Sequence, residues 1–556
     1  MFSFPFARND ELLNFAMRSE PQKFFLMPIP PTPNGRLHLG HIAGPYLRMD
    51  MLARHLRSQD HHVDVVSAVD GFDSYVLWKA LQEARSPQEV CRDYHGRIAH
   101  DLAALDIVVD EFLDVVQGPH AERHAENAQR AVSRLIEQGL TETITEKVLF
   151  SPATGRYLAG AWLVGRCPQC DMPSAGYFCE ACGAHFRPEA MRAPAPRVGD
   201  TQLEWREVDS LFLRIVDQPA LIDRVSAAGA PLTFINVIRR FLAQENGLVR
   251  LTAPGDWGVA WPPDRYGNPR VLFEAGWEYA LTCGDRCADG KPDAHPMSSS
   301  GNVTTLVSFG IDNAVLLLAG SVAVLGALPD RKPFDHVLTN FFYNLQGSKF
   351  STSRLHVVWA ADIVEATPAS SDAVRYFLAR ESPEHNAANF DVDAFIHFVN
   401  DDLATRLQGR LDVAGAALES MVGTSVGIVT PMLDKLIASF RLLDEAFRLD
   451  AVSVRSACAV VRSWIELPQI DLTDAKQAYG WLKGLACVAA SIMPSLADAL
   501  WFALGHEGMP RRAELRAMSS PRGGLCGRQW FTPLSRESLD PCLPSSLVRE
   551  RGTAHA

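Results

Sequence analysis

Two histidines three residues apart close the run Pro33-Asn34-Gly35-Arg36-Leu37-His38-Leu39-Gly40-His41, which follows an apolar stretch and precedes a segment with helical spacing. A strand that turns sharply into a helix aims the helix's first N–H groups, and the positive end of its dipole, at whatever sits above the sheet, which makes a seat for phosphate. His38 and His41 add imidazole donors there, and Gly40 adds bare backbone that a flat base can approach closely. Far along the chain, Gly347-Ser348-Lys349-Phe350-Ser351-Thr352-Ser353-Arg354 is a Gly/Ser loop with one lysine. Such a loop can fold over a triphosphate and neutralise the charge that builds as pyrophosphate leaves. Asp70 directly follows a second apolar run, where its carboxylate can hold a substrate ammonium group or, equally, cap a helix or turn. Cys167 and Cys170, then Cys179 and Cys182 eight residues on, form two CxxC knuckles with glycines close by. Four thiolates at that spacing converge on one tetrahedral, structural zinc. Cys283 and Cys287 have no second pair nearby in sequence and read as incidental thiols.

The elements that must position these groups follow from the apolar periodicity. Lys23 to Ile29 reads as a buried strand, Gly40 to Ser58 as a helix and His62 to Val69 as a second strand. That order begins a parallel, doubly wound sheet, whose ligands bind at the carboxyl ends of the strands. Helical spacing recurs over Tyr94 to Asp114, His120 to Gly139 and Ala394 to Gly505, and Val337 to Tyr343 is strand-like. Pro510 to Ala556 lacks periodicity and reads as a loosely ordered tail.

With 556 residues the chain needs three or more domains. Its 47% apolar and 21% charged residues are those of a globular protein, and no apolar run approaches the roughly 20 residues that span a bilayer. A formal net charge of -12 argues against wholesale wrapping of nucleic acid while leaving room for a local RNA-binding face. No membrane and no DNA partner is expected, and the start, Met1 to Asp10, lacks a secretory pattern, so the expected location is cytoplasmic. Eleven cysteines, four of them clustered, fit metal binding better than a disulfide framework.

His38-Leu39-Gly40-His41 resembles the HIGH signature of class I aminoacyl-tRNA synthetases, and Lys349-Phe350-Ser351-Thr352-Ser353 resembles their KMSKS loop. Ser67-Ala68-Val69-Asp70, the zinc knuckles and Val271 to Tyr279 resemble the methionyl-tRNA synthetase family in particular. The resemblance implies an α/β, Rossmann-like (HUP-type) nucleotide-binding domain split by a zinc-binding insertion and followed by an α-helical bundle. Its expected bounds are a lead-in at 1–22, the catalytic domain at 23–115 and 232–330, and the insertion at 116–231. A loop and stem-contact region at 331–393, an anticodon-binding-like bundle at 394–505 and a flexible tail at 506–556 complete it. The implied activity is ATP-dependent ligation through an aminoacyl-adenylate, with Mg2+ accompanying ATP and a structural Zn2+ held by Cys167, Cys170, Cys179 and Cys182. His38, His41 and Lys349 take the catalytic positions, and Asn34, Gly40, Ser351, Thr352 and Ser353 the ATP-binding ones. Pro30, Thr32, Asp70, Leu272, Tyr279 and Asp312 fall where the family binds its amino acid, Asp70 on the α-ammonium group.

Several positions depart from the family pattern. Thr352 replaces the second lysine of the loop, Ile311 the lysine of a Gly-Lys-Asp signature, and Thr252-Ala253 stand where an arginine is usual. Pro30, Thr32, Leu272 and Leu317 replace the leucine, tyrosine, tryptophan and histidine that shape the methionine pocket, so the expected amino acid is not methionine. Gly409, Val413 and Asp471 replace the anticodon-reading asparagine, arginine and tryptophan, and none supplies a stacking ring or a base-edge donor. The sequence therefore favours a small-molecule amine over tRNA as acceptor. The alternatives are a genuine methionine-type tRNA ligase and a non-catalytic paralogue that binds tRNA or a partner.

Overall fold

The computed structural model describes residues 20–548, apart from 180, 200–201, 289–293 and 353. The chain opens with strand β1 (Lys23–Pro28), whose apolar run alternates between two cores. Phe24 and Leu26 face one and Phe25 and Met27 the other, as the two-residue period of a strand requires. Helix α1 (39–57) follows the histidine turn and contains a π-helical turn at Ile42–Tyr46. Pro45 within that turn has no N–H to give, which accounts for the break in the hydrogen-bond ladder. A Cβ on Gly44 would meet Nδ2 of Asn340 at 2.7 Å, so the helix packs against the sheet only because that residue is glycine.

Next come β2 (His62–Ala68), α2 (Pro87–Ala104) and β3 (Glu111–Leu113). The helix expected through Asp114 stops ten residues short of that point. Asp106 takes a left-handed φ of 53°, and the chain then extends into an edge strand. After α3 (Ala121–Glu137), β4 (Thr141–Ser151) and β5 (Glu204–Arg214) pair antiparallel from Thr141↔Leu213 to Phe150↔Glu204. This ribbon carries the cysteine module at its tip. Helices α4 (Leu232–Gln244) and α5 (Trp277–Cys287) lead back to β6 (Val303–Gly310) and β7 (His336–Asn340).

The central sheet runs β7-β6-β1-β2-β3 with every pair parallel. Strand order reverses between β1 and β6, so the crevice at their carboxyl ends is the topological switch point where such sheets hold ligands. The histidine turn leaves β1 at that edge. Asp70 leaves β2 beside it, and Gly310 and Asp312 leave β6.

Five helices form the bundle: α6 (Gln408–Glu419), α7 (Thr430–Ala446), α8 (Val454–Ile465), α9 (Ala475–Ala489) and α10 (Pro494–Ala503). One apolar core runs from Phe24 and Leu26 through Tyr376 and Phe377 to Trp464 and Trp501. Arg375, fully buried, ties the junction: it pairs with Asp50 of α1 at 2.7 Å and donates to the carbonyls of Leu105, Ser491 and Ile492.

The expected loose tail is corrected by the structure over the residues described. Leu515, Leu525, Phe531, Leu534 and Leu539 are buried against the bundle. Asn400 accepts from the Leu534 N–H and Gln408 from the Trp530 N–H, so irregular backbone is held by side chains in place of a ladder. Sparse apolar residues without periodicity suffice for a segment that follows a ready-made surface.

Candidate active site

His38 caps the first turn of α1, and the two histidines cap each other. The His41 N–H donates to His38 Nδ1 and the His38 N–H to His41 Nδ1, both at 3.3 Å. An imidazole that accepts at Nδ1 carries its proton on Nε2 when neutral, so both rings keep an N–H donor for an incoming anion. Burial pushes His38 well below the ordinary histidine range, with His41 and Lys349 adding to the effect. His41 is exposed on the turn, and desolvation of the ring, then the nearby Lys349, moves it down too. Both rings are neutral donors at pH 7.

The lysine loop docks on this turn. Leu39 N–H donates to the Val358 carbonyl at 3.0 Å and Ala360 N–H to Leu37 at 2.9 Å, while Ser351 pairs with His356 across the loop. Lys349 lies 4.8 Å above the Phe342 ring, exposed at the loop's edge. Thr352 is the loop residue nearest Gly35, its Cγ2 4.0 Å from where a Cβ would stand. Asn34 is half-buried on the turn itself, and Ser353 lies outside the described residues. The face of Gly40 is taken by the rings of His38 and Phe350.

At the neighbouring strand end, Thr32, Asp70 and Tyr279 meet. The Tyr279 hydroxyl reaches Asp70 Oδ1 at 2.9 Å and also bonds Glu274, and Thr32 Oγ1 donates to Asp70 Oδ2 at 3.4 Å. Glu274 in turn bonds Nε2 of buried His124 at 3.1 Å, and the other nitrogen of that ring bonds Thr282 at 3.0 Å. Tyr279 bridges the two carboxyls, which sit close enough to titrate as a coupled pair. Burial, then the neighbouring Glu274, raises Asp70 well above the usual carboxylate range, and burial brings Glu274 up to about 7. Glu278, fully buried behind them, is raised as well and accepts from the Ala275 N–H at 2.9 Å. Phe72 and Trp257 flank the group, their rings 5.6 Å apart, and the Trp257 indole donates to the Gly71 carbonyl. The pocket is acidic and aromatic.

Pro30 is buried, and Leu272 sits in the core with its N–H on Val259. Asp312 folds back on Gly310, whose Cβ would lie 2.6 Å from Asp312 Oδ1. Leu317 fills the space over Gly276, 2.8 Å from where a Cβ would be. Glu274 and His124 were not singled out in the sequence. Glu274 carried a signal as one of two acids, with Glu278, in a largely apolar segment, whereas His124 arrives from α3 and only the fold brings it there.

In the insertion, the four thiol sulfurs lie within 4.8 Å of one another, with Cys170 3.6 Å from Cys179 and Cys167 3.8 Å from Cys182. A tetrahedron of zinc–sulfur bonds of about 2.3 Å has edges of about 3.8 Å, which the two closest pairs match, so the four thiols would fit a zinc ion. Gly183 takes the left-handed φ of 70° that turns the second knuckle.

The family described as "tRNA synthetases class I (M)" matches residues 28–412. The chain belongs to that family. Among curated relatives of this class I family, the Methionine--tRNA ligase of Salinibacter ruber is 29% identical over 67% of this chain and 54% of its own length. This chain thus spans about half of that relative. The Methionine--tRNA ligase of Chlorobaculum tepidum is 27% identical over 86% of this chain and 72% of its own length. In fold, the chain is similar to the Mycobacterium tuberculosis methionyl-tRNA synthetase in complex with methionyl-adenylate, with a TM-score of 0.65, 18% identity, and coverage of 92% of this chain and 99% of the other. Among the described residues no helix is long and apolar enough to cross a membrane.

Proposed function

We propose that this chain activates an amino acid other than methionine with ATP and passes the acyl group to a small-molecule amine. The observation that carries the reading is the meeting of His38, His41 and Lys349 at the end of β1 with the Asp70–Tyr279–Glu274 group beside it. The substrate carboxylate attacks the α-phosphorus, the bond to pyrophosphate breaks, and the mixed anhydride forms. His38 and His41 donate from Nε2 to phosphate oxygens, Lys349 balances charge on the departing pyrophosphate, and Asp70 accepts from the ammonium group. Magnesium bound with ATP supplies further neutralising charge. The acceptor nitrogen then attacks the acyl carbon, AMP leaves and the amine loses a proton.

The choice of amino acid is supported by Thr32, which sets a hydroxyl on Asp70 where the family resemblance leads one to expect an aromatic ring. The acceptor is supported by the bundle: Gly409, Val413 and Asp471 are exposed without a ring among them. A second reading, transfer to tRNA, is favoured by one observation, the match to tRNA ligases that runs through the bundle. Pyrophosphate exchange into ATP across a panel of amino acids, followed by product analysis with amines or total tRNA, tests both. Exchange is expected without tRNA, with methionine a poor substrate. No exchange with any amino acid overturns activation, and acylation of tRNA alone overturns the amine acceptor.

A further inference from the structure

Gly40 sits beneath a column of three rings. A Cβ there would stand 2.9 Å from Cδ2 of Phe350 and 3.0 Å from Cε1 of His38, closer than real Cβ contacts come. Phe350 stacks on His38 with centroids 4.6 Å apart and planes 11° from parallel, and His38 stacks on His41 at 3.7 Å and 13°. Phe350 is 6% exposed although it sits between two exposed loop residues, Lys349 and Thr352 with Ser351 half-buried. The loop itself is held by backbone bonds, while this ring lies on the backbone glycine where a flat base would approach. A phenyl ring and a purine are both planar π surfaces of comparable thickness, and they cannot share this face.

Resting on the nucleotide reading above, we propose that Phe350 is an affinity-determining residue of the nucleotide site: its ring occupies the base-binding face of Gly40, and the base of ATP binds by displacing it. The phosphates, which meet the Nε2 donors and Lys349, do not compete with the ring. Base and phosphates thus answer differently to the same substitution. Loss of one aromatic stack corresponds to about a three- to tenfold change in affinity.

The test is calorimetric binding of ATP, adenosine and inorganic tripolyphosphate to the full-length chain and to Phe350→Ala, with thermal melts confirming that the variant is folded. Phe350→Ala is expected to bind ATP and adenosine about three- to tenfold more tightly and tripolyphosphate as before. Phe350→Trp, with a larger ring, is expected to weaken adenosine and leave tripolyphosphate alone, and it supplies the reading if the alanine variant does not fold. Unchanged or weaker adenosine binding by Phe350→Ala overturns the proposal, as does equal tightening of all three ligands. Failure of the wild-type chain and both variants to bind ATP at all overturns the nucleotide reading itself.

Discussion

Glu274→Gln should make the protein more stable at neutral pH while impairing its site. Glu274 is held up to about 7 from an ordinary 4.5, chiefly by burial. A carboxyl whose folded pKa is raised binds more protons in the folded than in the unfolded state between those two values. Stability therefore falls as pH rises through that window and levels off above it. The 2.5-unit difference corresponds to about 3 kcal/mol at 1.36 kcal/mol per unit, and coupling to Asp70 brings the expected value to about 1–3 kcal/mol. Glutamine reproduces the protonated acid: its amide keeps a donor and an acceptor for His124 and Tyr279 and never ionises. Urea unfolding of the two chains at pH 5 and pH 8 reads the effect. The variant's advantage should be small at pH 5 and reach about 1–3 kcal/mol at pH 8. Parallel stability curves for the two chains across this range would refute the coupled-pair account. An advantage at pH 5 that vanishes at pH 8 would reverse its sign.

The same pair predicts that KM for the amino acid falls as pH rises from 6 to 8, because an ammonium group is held only after the pair gives up its proton; a flat profile would contradict this. His41→Ala should lower pyrophosphate exchange by about a hundredfold or more, the scale of losing one oriented donor, measured as kcat. Cys179→Ala should lose a bound zinc, read by elemental analysis, and should melt at lower temperature because a structural metal contributes to folding directly; normal stability without metal would sink the assignment. Arg375→Ala should cost about 3–5 kcal/mol in urea unfolding, since it removes one of the two arginines paired with buried Asp50 and takes a donor from four carbonyls, those of Leu105, Asp106, Ser491 and Ile492.

The sequence alone determined the features that depend on near neighbours. The strand-turn-helix around His38 and His41 follows from an apolar run, a proline-rich turn and a helical period, all within about 35 residues. The zinc site follows from four thiols at a spacing that lets one ion gather them, and the all-parallel central sheet follows from strand and helix alternating. Tertiary structure decided what depends on residues distant in the chain. Asp70 and Glu274 meet on Tyr279 because β2 and the segment before α5 end side by side, and His124 completes the group from a third element. The ring over Gly40 comes from a loop some 310 residues later, brought there by hydrogen bonds between backbones at 37–39 and 358–360. The segment after 506 packs although its own sequence has no period, because the bundle supplies the apolar surface. Local patterns record which face of an element is apolar. They do not record which distant side chain will meet it, and in this site that meeting sets the charge of the pocket and the cover over the nucleotide end.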